Sequence, residues 1–337
     1  MLSPHPPTPN PLVDRLGRVH TDLRVSVTDR CNLRCFYCMP GEGVEFRSHQ
    51  EVLRYEEIER FVRVVARLGI RKVRLTGGEP LVRKGMVGLV EMLARIPGID
   101  DLAMTTNGIL LAQHAEELKA AGLMRLNVSI DTLDPEKFRR ATGRDALGDV
   151  LAGIAAARQA GFRQIKLNAL AIRGRSEEDV VPLARFARDR GLTLRFIEFM
   201  PLDGCRQWQP GQVLSAAEIL DLLASEFGPL EPVSDDGSAA AREYCFPDGA
   251  GRIGVVPSVS RPFCDRCNRL RLTSDGRLRN CLFAVEGTEV RELLRGGASD
   301  EQIAEAVRET VRQKFPARGS PDASFARPKR TMHEIGG

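Results

Sequence analysis

Six short β-like runs alternate with helical patterns between Leu23 and Met200, and this alternation restricts the chain more than any other feature. The runs are LRVSVT (23–28), KVRLTG (72–77), DLAMTT (101–106), RLNVSI (125–130), QIKLNAL (164–170) and TLRFIEF (193–199). Between them lie stretches such as EEIERFVRVVARLG and LARFARDRG, with apolar residues at helical spacing and a glycine at the end. Strand, helix and strand repeated in series imply a parallel sheet with helices packed outside it, because such crossovers share one hand. The expected fold is α/β, a partial (β/α)6 TIM-type barrel followed by a smaller C-terminal lobe that closes its mouth.

Side chains alternate faces along a strand, so each run can be split in two. One face is apolar: Val25 and Val27, Val73 and Leu75, Leu102 and Met104, Leu126, Val128 and Ile130, Ile165 and Leu167. That face is expected to meet the helices. The other carries Arg24, Ser26 and Thr28; Lys72, Arg74 and Thr76; Thr105; Asn127, Ser129 and Asp131; Gln164, Lys166 and Asn168. A closed eight-stranded barrel fills its lumen with branched apolar side chains, so a polar, basic lumen predicts a barrel held open around a ligand. The sixth run breaks the pattern, since Arg195 shares its face with Ile197 and Phe199.

With 337 residues, 42% of them hydrophobic, the chain can bury one barrel-sized core and an appendage. We place the barrel at 12–232 and the C-terminal region at 233–337. A proline-rich leader, 1–11, has no apolar h-region and reads as a disordered segment, neither signal peptide nor membrane span. Forty-nine basic against 45 acidic residues leave a formal charge of +4, too balanced for a nucleic-acid binder but compatible with an anionic small molecule. No nucleic-acid or membrane partner is expected, and the cytoplasm is the expected compartment. There the eight cysteines would stay reduced, which favours metal ligation over disulfides wherever they cluster.

Two clusters stand out. The first, CNLRCFYC, places Cys31, Cys35 and Cys38 at C-x3-C-x2-C spacing; the second is Cys264-x2-Cys267-x13-Cys281. Cys205 and Cys245 are isolated and read as ordinary thiols. Three thiolates can hold three irons of a four-iron cube and leave the fourth without a protein ligand, whereas electron-transfer clusters use four cysteines. An open iron is a place to bind a small molecule. The alternative is zinc completed by a histidine, but His20 and His49 do not sit at finger-like spacing from the first triad. Gly77 and Gly78 close the second run, where a backbone must approach something tightly.

In the C-terminal region SDDGSAAARE (234–243) reads as a flexible loop. Asp275-Gly276 is a hairpin signal between RLRLTS and RLRNC, and folding back there sets Cys281 opposite roughly Leu270, close to Cys267. A helical stretch at about 299–314 precedes the basic tail ARPKRTMHEIGG.

CNLRCFYC after one strand and TGGEP at the end of the next resemble the radical S-adenosylmethionine superfamily. This implies a radical-SAM core whose [4Fe-4S] cluster binds S-adenosyl-L-methionine at the open iron and, on receiving one electron, releases a 5′-deoxyadenosyl radical. By the same resemblance Gly78 lies against the methionyl group, Tyr37 beside the cofactor, and Ser129 and Met200 complete its pocket. Both triads, RVSVTDRCNLRCFYCMP, RLTGGEPLVR, RLRLT and the terminal Gly-Gly together resemble, over Leu12 to Gly337, the branch that cyclises GTP at the opening of molybdenum cofactor biosynthesis. That implies a second [4Fe-4S] cluster on Cys264, Cys267 and Cys281 holding the purine's N1/2-amino edge. It also implies abstraction of the 3′ hydrogen, attack of C3′ on guanine C8, and Gly336 and Gly337 reaching into the barrel to support catalysis.

A triphosphate in such a lumen needs several donors, and no G-x4-G-K-[ST] loop is present to cradle it. Arg24, Arg74, Thr105, Lys166 and Arg195 are the lumen candidates, with Arg269 and Arg271 on one face of the hairpin. Arg24, Arg269 and Arg271 are also the candidates for a catalytic part. The partners implied are GTP, a low-potential flavodoxin-like electron donor, and a downstream cyclic pyranopterin monophosphate synthase; a homodimer is left open. Two other readings stand beside this one: a radical enzyme acting on a peptide or another small molecule, and a zinc-stabilised binding module without catalysis.

Overall fold

The structure, a computed structural model, describes residues 11–39, 43–202, 208–233, 237, 239–315 and 330–336. Six strands lie where the β-like runs predict them: β1 (Asp22–Ser26), β2 (Lys72–Thr76), β3 (Asp101–Thr106), β4 (Arg125–Ser129), β5 (Ile165–Ala171) and β6 (Thr193–Glu198). Six more follow: β7 (Glu231–Pro232), β8 (Arg242–Cys245), β9 (Arg252–Val256), β10 (Arg269–Leu272), β11 (Arg277–Arg279) and β12 (Thr288–Glu289). The helices of the barrel are α1 (Tyr55–Arg67), α2 (Met86–Ala94), α3 (Leu111–Ala120), α4 (Pro135–Thr142), α5 (Leu147–Gln159) and α6 (Glu177–Asp189). Beyond them come α7 (Ala216–Phe227), α8 (Val290–Arg295), α9 (Asp300–Arg312) and the short α10 (Met332–Ile335).

Local chemistry sets these boundaries. At the start of α1 the Glu57 carboxylate accepts the Arg54 N–H at 2.7 Å, the return arm of a capping box. Ile58, Phe61, Val62 and Val65 then recur at helical spacing and are all fully buried. The helix ends because Gly69 takes φ +102° while Ile70 N–H donates to the Val65 carbonyl at 3.1 Å.

The sheet order is β12-β11-β10-β1-β2-β3-β4-β5-β6-β9-β8-β7. β10 is parallel to β1 and β9 is parallel to β6, so the C-terminal region adds one parallel strand to each edge of the six-stranded core. An antiparallel pair flanks each of these, and among the described residues β12 and β7 do not pair. The result is an open, partial TIM-type barrel. Its apolar face behaves as the alternation requires: Val25, Val73, Leu75, Leu102, Met104, Leu126, Val128 and Leu167 all pack in one core with the helices.

Two readings of the C-terminal region need correction. Arg242 and Glu243, expected in a flexible loop, begin β8, where Glu231 and Pro232 pair with Cys245 and Tyr244. The hairpin loop has three residues, not two: Thr273 N–H donates to Arg277 O at 3.0 Å, and Gly276 occupies the left-handed position at φ +78°. The extra residue shifts the register by one. Arg271 pairs with Arg279, and the same register continued sets Arg269, not Leu270, opposite Cys281. The helix expected at about 299–314 is α9. Cys205, Gly337, most of the leader and residues 326–329 of the basic tail lie outside the described residues. No described helix is long and apolar enough to cross a membrane.

Candidate active site

Strand direction places the two cysteine triads at opposite ends of the lumen. Cys31, Cys35 and Cys38 follow the C-terminal end of β1, whereas Cys264 and Cys267 precede β10, which runs parallel to β1. Register then builds the wall between them. Lys72, Asp22 and Arg269 stand side by side on β2, β1 and β10; Arg74, Arg24 and Arg271 form the next row on the same face; Thr76 and Ser26 form the row after that. Neighbouring parallel strands lie about 4.8 Å apart, so three arginines in one row repel each other in the free protein.

Lys72, Asp22 and Arg269 of the first row and Arg74 and Arg24 of the second line a cavity of ≈ 740 Å³ at the end where the parallel strands begin. Its walls carry ten cations, Arg24, Lys72, Arg74, Arg125, Lys166, Arg195, Arg242, Arg252, Arg266 and Arg269, against two carboxylates, Asp22 and Glu243. Arg125 is already neutralised by Asp101 through a bidentate pair, with Nε to Oδ1 at 2.7 Å. Arg24, Arg74 and Arg195 each retain a buried Nε with no hydrogen-bond partner. Burial and neighbouring guanidinium groups push Arg24 well below its ordinary range, and Arg271 to about 10. Lys166 is pushed down to about 8, by burial first and then by Arg195. Orphaned donors and depressed cations in one enclosed space are what a polyanion would relieve.

Of the expected nucleotide contacts, Arg24, Arg74, Lys166, Arg195 and Arg269 meet in this cavity. Thr105 does not line it; it sits one residue from the end of β3 on the lumen face, paired with Asn127. Arg271 is buried and donates from Nη1 to the Gly336 carbonyl at 2.5 Å. Gly336 has φ +86°, and a Cβ there would stand 2.5 Å from Thr76 Oγ1 and 2.8 Å from Ser26 Cβ. The tail therefore enters the lumen at the third row. Arg330 anchors it outside with a fork on the hairpin's Asp275, at 2.9 and 2.7 Å.

At the other end, the paired glycines pack on the backbone leading into the first triad. A Cβ on Gly78 would lie 2.5 Å from Arg30 O, and Gly78 N–H donates to Thr28 O at 2.7 Å. Glu79, fully enclosed, accepts from Leu81 N, Asn107 N and Thr106 Oγ1. Asn107 in turn donates to Asn32 Oδ1 at 2.7 Å within the cysteine loop. Tyr37 OH donates to Asp131 Oδ2 at 2.5 Å, and Tyr37 and Met200 pack on the same cluster of Ile172, Phe199, Trp208, Val213 and Val259. A cavity of ≈ 470 Å³ opens there, lined by Phe36, Tyr37, Asp131, Leu170 and Arg175 among others. Of the four expected cofactor contacts Tyr37 lines it, and Gly78, Ser129 and Met200 do not.

Each triad supplies three thiolates, the donor chemistry an iron–sulfur cluster takes. Among the described residues no three His, Cys, Asp or Glu side chains converge closely enough for one metal ion. A cube puts each thiolate on a different iron. His20 is fully buried on Asp14, Nε2 to Oδ2 at 3.0 Å, and His49 is exposed, so neither completes a zinc site. Burial pushes the thiols of Cys31 and Cys38 up to about 11 and about 12, and Cys35 higher than its ordinary range as well. Burial acts the same way on Cys267, but Lys314 and Arg269 outweigh it and hold that thiol below its usual value. Lys314 Nζ lies 3.0 Å from Cys267 O and 3.5 Å from its Sγ, and Arg18 Nη1 donates to Cys264 O at 2.7 Å. Lys314, Arg18, Arg125 and Asp22 were not legible as site residues, and Lys72 was legible only as lumen-facing; for those on strands the signal was register, which sequence spacing does not supply.

Comparison with known proteins agrees with this geometry. Residues 25–187 match the family model of the radical SAM superfamily, and residues 192–319 match one described as Molybdenum Cofactor Synthesis C. The chain is 51% identical to the GTP 3′,8-cyclase of Rhodopirellula baltica, over 98% of this chain and 93% of that one. It is 46% identical to the GTP 3′,8-cyclase of Streptomyces coelicolor, over 97% and 96%. Among solved structures, Streptococcus suis SuiB bound to S-adenosylmethionine matches with a TM-score of 0.61 at 14% identity, covering 86% of this chain and 68% of that one. Methylornithine synthase (PylB) matches at 0.54 and 19%, covering 86% of each. The two solved structures share the fold; the curated relatives share the whole chain at a level that fixes the family. The open barrel, the cysteine loop after β1 and the near full-length identity together make this chain a member of the GTP 3′,8-cyclase family within the radical S-adenosylmethionine superfamily.

Proposed function

We propose that the chain cyclises GTP to (8S)-3′,8-cyclo-7,8-dihydroguanosine 5′-triphosphate, the first step of molybdenum cofactor biosynthesis. The observation that carries this reading is the ten-cation cavity, built on strands in register and adjoining the second cysteine triad. Arg24, Arg74, Lys166, Arg195 and Arg269 hold the triphosphate there, replacing water and relieving their mutual repulsion. Cys31, Cys35 and Cys38 hold one [4Fe-4S] cluster, with Tyr37, Gly78, Ser129 and Met200 around S-adenosyl-L-methionine. Cys264, Cys267 and Cys281 hold a second cluster, toward which the purine is directed. When bound, the first cluster and its cofactor supply the 5′-deoxyadenosyl radical that takes the 3′ hydrogen.

The chain's own contribution is placement. Triphosphate at the basic rows and purine at the second triad fix both ends of the nucleotide, so the ribose is presented to the lumen with little freedom, the condition for an intramolecular ring closure. Gly336, seated on Ser26 and Thr76, fills space beside the ribose and keeps water out, while Arg271 bridges the tail and the second triad. Thr105 contacts the nucleotide from β3. A low-potential flavodoxin-like donor supplies two electrons, one to release the adenosyl radical and one, with a proton, to convert the cyclised nucleotide radical to the dihydro product; the product passes to a cyclic pyranopterin monophosphate synthase, and the enzyme works in the cytoplasm, as a monomer or a homodimer.

The test is anaerobic reconstitution followed by reductant, S-adenosylmethionine and each of the four nucleoside triphosphates in turn. Cyclised product and 5′-deoxyadenosine should accumulate with GTP. An equal response to ATP would remove the guanine assignment, and a colourless zinc protein would remove the reading as a whole.

A further inference from the structure

One carboxylate in the basic cavity has a task that triphosphate binding alone does not explain. Glu243 reaches in from β8 and is shared by three cations: Oε1 lies 3.2 Å from Arg195 Nη2 and 3.7 Å from Lys166 Nζ, and Oε2 lies 3.5 Å from Arg252 Nη1. The sheet is cut to allow this. Gly254 of β9 pairs with Arg195 on one side and Glu243 on the other, and a Cβ there would stand 2.9 Å from Arg195 Cγ. A side chain at 254 would thus block the path by which Arg195 crosses β9 to its partner.

Resting on the reading that this cavity takes the triphosphate of GTP, we propose that Glu243 is a resident counter-anion: it holds Lys166 and Arg195 in place in the free enzyme and yields them to the incoming phosphates. Without it, Lys166 and Arg195, diagonal neighbours on β5 and β6 opposite Thr193 and Asn168, would repel with no anion between them. With it they stay aimed inward, because one carboxylate satisfies both. The same carboxylate opposes the bound triphosphate, so it weakens substrate and product together and keeps the site from holding its product too tightly. Glu243 is a positioning residue, and the sign of its effect separates it from an ordinary structural ion pair: removing it tightens binding.

The experiment uses the reconstituted holoenzyme without reductant, with GTP and inorganic tripolyphosphate as probes in anaerobic calorimetry. Glu243→Gln should bind tripolyphosphate about tenfold more tightly than wild type, from the like-charge repulsion it removes. Glu243→Asp, which keeps the charge, should show far less tightening. Unchanged or weaker binding in Glu243→Gln would overturn the proposal. Wild-type enzyme gives a second reading that needs no variant. Backbone hydrogen exchange at Arg242–Cys245 should rise when tripolyphosphate is added, as the β8 anchor is released, and a fall there would overturn the proposal too. Failure of the GTP reading looks different: wild type would bind tripolyphosphate yet fail to prefer GTP over ATP.

Discussion

Replacing Gly336 by alanine is expected to lower cyclisation by at least about a hundredfold, the scale of a misplacement near 1 Å at a reacting centre, while iron content and GTP binding persist. The position has no room and no freedom. Its φ of +86° disfavours any side chain, and a Cβ would meet Thr76 Oγ1 at 2.5 Å and Ser26 Cβ at 2.8 Å. Nor can the tail slide away to make room. Arg330 is forked on Asp275, Arg271 holds the Gly336 carbonyl, and His333 Nδ1 sits 3.4 Å from the Cys38 carbonyl. Alanine must therefore push the tail out of the lumen or distort the β1–β2 wall. Removal of Gly336 and Gly337 should give the same loss with both clusters assembled. Product formation and iron quantification on the same preparations check this, and an active Gly336→Ala enzyme would refute it.

Arg74→Met is expected to move stability and binding in opposite directions. In the free protein Arg74 stands beside Arg24 in the register row, its Nε lacks a partner, and burial, with Arg125, Arg195 and Arg269 nearby, lowers it to about 10. Removing such a charge relieves repulsion and desolvation, so the variant should melt higher than wild type. With GTP the balance reverses, since a charge-assisted hydrogen bond contributes about 1.5–3 kcal/mol and a guanidinium fork can make two. Affinity for GTP should fall about a hundredfold. Thermal unfolding and equilibrium binding decide together: a variant that melts lower and binds normally would mean that Arg74 is a structural cation, not a phosphate ligand.

The six core strands were legible because period-2 alternation is a local property: Val25, Val73, Leu75, Met104, Val128 and Leu167 announce one face and Arg24, Arg74 and Lys166 the other. Long-range pairing was not legible. Nothing in RIGVV marks it as the strand that extends the sheet beyond β6, and nothing in RLRL marks it as parallel to β1. Without that pairing the row Arg74, Arg24, Arg271 cannot be seen, and Arg271 is a candidate only through its place on the hairpin face. The hairpin shows how little is needed to mislead. Asp275-Gly276 signals a two-residue turn, but Ser274 joins the loop because Thr273 N–H bonds to Arg277 O, and every residue before the turn changes partner. Charge supplies a similar case: Lys314 lies far from both triads in sequence, yet its Nζ is 3.5 Å from Cys267 Sγ.

The central claim is that two open-cornered cubes face each other across one basic lumen, and iron stoichiometry tests it most directly. Anaerobically reconstituted enzyme should hold about eight irons per chain, falling to about four when alanine replaces the cysteines of either triad. About four irons in the wild type, unchanged when Cys264, Cys267 and Cys281 are replaced, would contradict it.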